Sequence, residues 1–218
     1  MTDLRLLDLP AVVESALPAA LLGQLPAGTP PPPWECRVRA TAWLQRGTAP
    51  LPPDSPYAGR VLPVTLGAFV DYLDSPVGPY REVFAGPLVR GARRPAVHIP
   101  FIAVDSLPSV HGGRAHWGLP KAVARFDGDV GAGRVRADGD GWWIAARAAP
   151  TGVPVPLLGT FANAQTTGRA AVVLRGRGRL TRVVVNASGP TLTGWLGNGT
   201  HPGVVAEGRL VVHAAHAE

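Results

Sequence analysis

The chain has 218 residues, 46% hydrophobic and 17% charged, which excludes an extended disordered polymer and fits one folded domain with a sizeable core. Its formal charge is +6, and every basic residue but Lys121 is an arginine. The arginines are scattered along the sequence, so no nucleic-acid partner is expected. The sole cysteine, Cys36, excludes an intrachain disulfide and a cysteine-based zinc site, and favours a reducing compartment such as the cytoplasm.

Asp3, Asp8 and Glu14, with Pro10 and Pro18 among them, spoil a signal-peptide core. No apolar run of about 18 residues occurs, so no membrane partner is expected. Residues 10–22 read as a short helix opened by Pro10 and limited by Pro18. The run Pro30 to Pro33 is stiff and extended. Residues 1–32 thus form a lead-in to a single domain over residues 33–218. Residues 37–44 alternate polar with apolar, the period of a strand. Further strands are expected at 60–66, 82–89, 97–104, 142–148, 170–175, 180–185 and 209–213. Gly176-Arg177-Gly178 reads as a hairpin turn between two of them, and Asp138-Gly139-Asp140-Gly141 as another turn. The internal helix is expected at 120–126. There is no internal repeat. The fold class is mainly β, a β-rich α+β protein built as an antiparallel barrel or two packed sheets with few short helices.

Lys121 sits in Trp117-Gly118-Leu119-Pro120-Lys121-Ala122-Val123-Ala124 with no acid beside it in sequence. Most lysines are solvated surface residues. An apolar setting instead penalises the ammonium form, and a neutral amine attacks carbonyls where an ammonium does not. Arginine cannot take that role, because its guanidinium stays protonated. Arg114, after Gly112-Gly113, reads either as a fork for a carboxylate or as an ion-pair partner of Asp105. Glu82, one of five glutamates, enters an apolar strand. It is either a pocket acid that manages protons or a residue on the polar face. Asp105, Ser106, Ser109 and His111 lie close in sequence without a nucleophile elbow, which argues against a catalytic triad. His213 and His216 read as a solvated pair rather than a metal clip, and no metal site is expected.

Tyr80-Arg81-Glu82, an apolar strand ending in Val104-Asp105-Ser106, Gly113-Arg114 and Gly118-Leu119-Pro120-Lys121 follow an order that resembles the acetoacetate decarboxylase family. That family's signature is a Tyr-x-Glu strand, an apolar strand with an Asp near its end, and Gly-Arg-Glu followed by a Pro-Lys-Lys turn. Residues 180–196 resemble its late strands. The likeness runs from about Pro33 onward, and its specific motifs fall between Tyr80 and Lys121.

The resemblance implies a cone-like β-barrel assembled from identical chains. It implies a Schiff-base-forming decarboxylase or lyase acting on a small anionic keto acid, with no metal or organic cofactor. Lys121 would be the Schiff-base lysine and Glu82 the pocket glutamate. Arg114 or Arg37 would hold a carboxylate, and Trp117, Leu119 and Phe101 would line the substrate site. Three positions depart from the family. Ala122 stands where the family has a second lysine, Ala115 stands where it has a glutamate after the arginine, and Gly67 and Ala68 occupy the region of another glutamate, with Asp71 the nearest acid. Without a neighbouring cation, desolvation of Lys121 would have to act alone. Two other readings stay open: an aldolase-dehydratase, since the same iminium on the same lysine supports that chemistry, and a non-catalytic small-molecule binding protein on the same fold, which these losses motivate.

Overall fold

A computed structural model describes residues 6–47, 49–51, 55–91 and 95–217. The segment expected to be helical at 10–22 instead holds two 3₁₀ turns, Val13–Ser15 and Ala19–Gln24. Pro18 separates them: it offers no N–H and pushes the residue before it out of helical backbone.

Three long antiparallel strands follow, β1 (Trp34–Arg46), β2 (Val61–Asp74) and β3 (Tyr80–Val89). The strand expected at 97–104 is two, β4 (Ala96–Val97) and β5 (Phe101–Val104). Pro100, which has no N–H for a ladder, lies in the gap between them. Next come α1 (Leu107–Trp117), β6 (Ala122–Val123), β7 (Arg125–Asp129), β8 (Arg134–Gly139) and β9 (Trp142–Ala148). The turn expected at Asp138 to Gly141 joins β8 to β9. The chain ends with β10 (Val155–Gln165), β11 (Gly168–Ser188), a single-turn α2 (Leu192–Trp195) and β12 (Gly199–His216).

Two further expectations are corrected. No helix forms at 120–126, where β6 and β7 lie; the helix is α1, just upstream. Ser106 caps it, accepting from Ser109 N at 3.3 Å. Gly118 closes it in left-handed backbone (φ 63°), and its N–H and that of Leu119 return to the carbonyls of Arg114 and Gly113. This is a Schellman-type stop, with Pro120 just beyond. Gly112 and Gly113 mask the helix in sequence because glycine disfavours helix interiors. Nor is there a turn at Gly176 to Gly178: β11 runs straight through, paired with β10 on one side and β12 on the other. A Cβ at Gly176 would lie 2.2 Å from the Glu207 carbonyl oxygen, so this glycine serves close strand approach rather than reversal.

The strands β10, β4, β3, β2, β1, β12 and β11 form a ring, because β10 pairs with β11 as well as with β4. From β11 the sheet continues through β9, β8 and β7. The expected β-rich architecture is therefore what the chain adopts. Strand alternation sorts side chains into two main cores. Trp34, Cys36 and Val38 of β1 join Val70, Tyr72, Tyr80, Ile102 and Val104, with Val110 and Trp117 of α1. Trp43, Phe69, Phe101 and Ala103 pack instead with Trp142, Ile144, Val183 and Val185. The N-terminal segment is tied across both. Ser15 Oγ accepts from Ile102 N at 2.9 Å, and the Glu14 carboxylate accepts from the backbone N–H groups of Thr191 and Leu192 at the start of α2. Among the described residues, no helix is long and apolar enough to cross a membrane.

His98 is buried between β4 and β10, with Nδ1 2.9 Å from the Ala164 carbonyl and Nε2 3.1 Å from Ser55 Oγ. Burial holds its ring below the ordinary value of 6.5. An unfolded histidine takes up a proton below about pH 6.5 while the folded ring stays neutral, so this contribution is complete above that pH and is lost as pH falls beneath it. Tm should therefore drop by a few degrees more between pH 7 and pH 5 in the parent chain than in His98→Asn. Thermal unfolding at the two pH values checks this, and an equal drop in both proteins would contradict it.

Candidate active site

Lys121 reaches its position because α1 ends abruptly. The left-handed Gly118 and the following Pro120 turn the chain back along the helix, and the lysine stem lies over Gly113. A Cβ there would sit 2.5 Å from Lys121 Cδ, so no other residue leaves room for the stem. One helical turn earlier, on the same face, Ser109 Oγ accepts a hydrogen bond from Lys121 Nζ at 2.9 Å. The same Nζ lies 2.7 Å from Glu82 Oε2 on β3 and 5.1 Å from the centre of the Tyr80 ring. Lys121 is 3% exposed and Glu82 4%. The Nζ contact is the only polar one Oε2 makes among the described residues, and it is an ion pair rather than an aligned hydrogen bond.

Sheet register supplies the rest. Tyr72 of β2 lies opposite Tyr80 of β3, and Val70 opposite Glu82, so Tyr72, Tyr80 and Glu82 share one face. The two tyrosine rings stack 4.1 Å apart at 13°, and the Tyr72 hydroxyl donates to Glu82 Oε1 at 3.2 Å. Burial, followed by the Glu82 charge, pushes both phenols well above their ordinary value of 10, so both stay neutral. Cys36 faces the same core. Burial raises its thiol to about 12, opposed by Lys121 and reinforced by Glu82, so it is no thiolate nucleophile.

The other expected site residues separate. Arg114 is buried, but its guanidinium serves the main chain. Nε donates to the Lys121 carbonyl at 2.8 Å, Nη2 to Ser15 O at 3.0 Å, and Nη1 to Leu6 O. Burial draws it down to about 10, still charged at neutral pH. It clamps the lysine's backbone to the N-terminal segment rather than waiting for a substrate carboxylate. Asp105 pairs instead with Arg81, at 3.0 Å. Arg37 is exposed, on the opposite face of β1 from Cys36 and Val38. Phe101 points away from Val104's side of β5 and meets Trp142 edge-on at 5.2 Å. Trp117 and Leu119 belong to the core that holds the tyrosines, though the Trp117 indole is spent on the His213 carbonyl at 2.8 Å and on Trp34. Sequence reading missed Tyr72, Ser109 and Cys36. Ser109 had a legible signal, its four-residue spacing from Gly113, once the helix is recognised. Tyr72 and Cys36 join only through long-range strand pairing.

Residues 49–141 match the model of the acetoacetate decarboxylase family. Over that stretch the chain is similar to the acetoacetate decarboxylase family. Its fold resembles that of acetoacetate decarboxylase from Legionella pneumophila subsp. pneumophila, at 16% identity over 86% of this chain and 88% of that one, with a TM-score of 0.56. A further acetoacetate decarboxylase structure aligns over 99% of this chain and 96% of its own, at 10% identity and a TM-score of 0.59. The enduracididine biosynthesis enzyme MppR complexed with pyruvate aligns over 86% and 90%, at 15% identity and a TM-score of 0.55. No curated protein sequence matches.

In this chain the departures acquire a location. Ala122 pairs with Ala103 and packs into the core of Trp43 and Phe69, not beside Lys121 Nζ. Asp71 lies on the face of β2 opposite to Tyr72, across from Arg81 and Arg39. Neither supplies the amine with a second charge. The expectation of a purely apolar niche is also corrected: the lysine's immediate partner is a carboxylate.

Removing one partner of a buried ion pair strands the other charge, at a cost of about 3–5 kcal/mol. Glu82→Gln and Lys121→Met should each lose about that much stability in urea unfolding. The double variant should lose clearly less than the sum. Strict additivity would show that the two groups are not coupled.

Proposed function

We propose that the chain cleaves a carbon–carbon bond in a small keto acid through a Schiff base on Lys121, with decarboxylation of an acetoacetate-like 3-keto acid as its reaction. The observation that carries this reading is the closed Lys121–Glu82 pair. Moving a proton from Nζ to Oε2 removes two charges from a dry site without any exchange with solvent, and charge pairs are costly there. The neutral amine then adds to the substrate ketone. Glu82 returns the proton to the departing hydroxyl, water leaves, and an iminium remains. Carbon dioxide departs with its bonding electrons flowing to the iminium nitrogen. The resulting enamine takes a proton on carbon, and water releases the product from Lys121.

The surrounding residues fit these roles. Ser109 Oγ orients Nζ, and Tyr72 holds the Glu82 carboxyl. The Tyr80 ring faces the nitrogen, where a cation–π contact favours the iminium. The similarity to acetoacetate decarboxylases and to pyruvate-bound MppR supports a keto-acid substrate. MppR has also been seen with the condensation product of pyruvate and imidazole 4-carboxaldehyde, and this supports the second reading, aldol condensation with dehydration on the same lysine. Assembly of identical chains belongs to the proposal too. The strand β10 carries no charged residue and exposes Val155, Leu158 and Phe161, apolar surface of the kind that a further copy covers.

Incubation with acetoacetate followed by borohydride should leave a reduced adduct on Lys121, located by peptide mass, together with release of carbon dioxide. Lys121→Arg should retain the fold by thermal unfolding and lose both adduct and turnover. An adduct with pyruvate that goes on to condense with an aldehyde, without carbon dioxide release, would select the second reading. No adduct with either acid would leave a binding protein.

A further inference from the structure

The arginines that look scattered in sequence are gathered by strand pairing. Arg37 of β1 lies opposite Arg209 of β12, which lies opposite Arg175 of β11. Two residues along, Arg39 lies opposite Glu207, which lies opposite Arg177. Directly paired residues share a sheet face, so five arginines and one glutamate form a grid of two rows on three adjacent strands. All six are exposed. By ordinary strand spacings the rows stand about 7 Å apart, and each spans roughly 10 Å.

The first row is electrostatically adverse. It contains two successive like-charge cross-strand pairs, Arg37 with Arg209 and Arg209 with Arg175, an arrangement that costs stability. Two arginines elsewhere are partnered with carboxylates: Arg81 with Asp105 at 3.0 Å, and Arg136 with Asp138 at 2.6 Å. In the grid, among the described residues, none of the five arginines forms an ion pair. Glu207 sits between Arg39 and Arg177, and Asp71 and Asp74 border the grid on β2, yet none of these acids comes within ion-pair distance. Grooves run between the side chains. One of about 370 Å³ is lined by Arg37, Arg39, Arg177, Glu207 and Arg209, and a neighbouring one of about 470 Å³ by Arg39, Arg177, Arg179 and Asp129. No aromatic ring lines either groove.

We propose that this grid is a binding site for a compact polyphosphate, separate from the Lys121 site. Guanidinium forks take phosphate oxygens two at a time. A row of three, spread over about 10 Å, calls for linked charges rather than a single carboxylate. The lack of aromatic platforms argues against single-stranded nucleic acid, which such proteins hold largely by stacking. The site recognises the phosphate chain itself, whether free or carried by a nucleotide.

The test is titration with sodium tripolyphosphate at fixed ionic strength, followed by calorimetry and thermal unfolding. Saturable binding should raise Tm by about 5 °C or more at high saturation. Arg209→Gln should weaken binding by about tenfold or more. Arg134→Gln, an exposed arginine on β8, should leave it unchanged. ATP serves as a second arm: equal affinity supports recognition of the phosphate chain alone, and tighter binding supports a nucleotide. No saturable response, or equal weakening in both variants, would overturn the site. Binding of a 12-nucleotide RNA without any response to tripolyphosphate would overturn the choice of ligand.

Discussion

The candidate site depends on one buried contact, the 2.7 Å approach of Lys121 Nζ to Glu82 Oε2. Two charges inside a protein are tolerable only when held together and further satisfied. The surrounding structure does both. Ser109 Oγ accepts a hydrogen bond from Nζ, Tyr72 donates to the far carboxyl oxygen, and the Tyr80 ring lies under the nitrogen. The main-chain features read as devices for delivering the lysine there. Gly113 clears space for its stem, Gly118 and Pro120 reverse the chain, and Arg114 grips its carbonyl.

Arg114 also links the site to the N-terminal segment, since the same guanidinium binds the carbonyls of Leu6 and Ser15. That segment has little regular structure among the described residues, yet Glu14 and Ser15 tie it to α2 and β5. A buried arginine with only backbone partners still has its charge spread over three carbonyl dipoles, which meets the demand that buried polar groups be bonded. The cost of burying it is repaid in position: the lysine backbone and the strap cannot move independently.

Sequence legibility follows the range of the interactions. Lys121 and Glu82 stood out because each is chemically anomalous in its local context, a single lysine in an apolar turn and a glutamate entering an apolar strand. The strand character of β1 was visible as alternation. What was hidden depended on distant partners. The glycines of α1 read as helix breakers because the side chains that need their space, Trp34 and Lys121, come from elsewhere in the chain. Gly176 and Gly178 read as a turn for the same reason. Arg37, Arg175 and Arg209 are far apart in sequence and become neighbours only through the register of β1, β12 and β11. Phe101 was misplaced because four apolar residues in succession, Phe101 to Val104 along β5, carry no alternation to tell one face from the other.

The absent second cation changes how the proposed chemistry must run. With Ala122 turned into the other core, no neighbouring positive charge pushes the proton off Lys121, and Glu82 becomes its natural acceptor. The pair has net charge zero before and after that transfer, so the step needs no solvent. A keto acid entering the site then brings a carboxylate beside a pair that is neutral overall and beside an Arg114 already spent on backbone carbonyls. That carboxylate is poorly compensated, whereas the carbon dioxide it becomes is neutral. In a water-poor site this difference favours the charge-losing direction. The same argument explains why Arg114 is better spent on backbone carbonyls: a guanidinium free to clamp the leaving carboxylate would stabilise the ground state that decarboxylation has to leave.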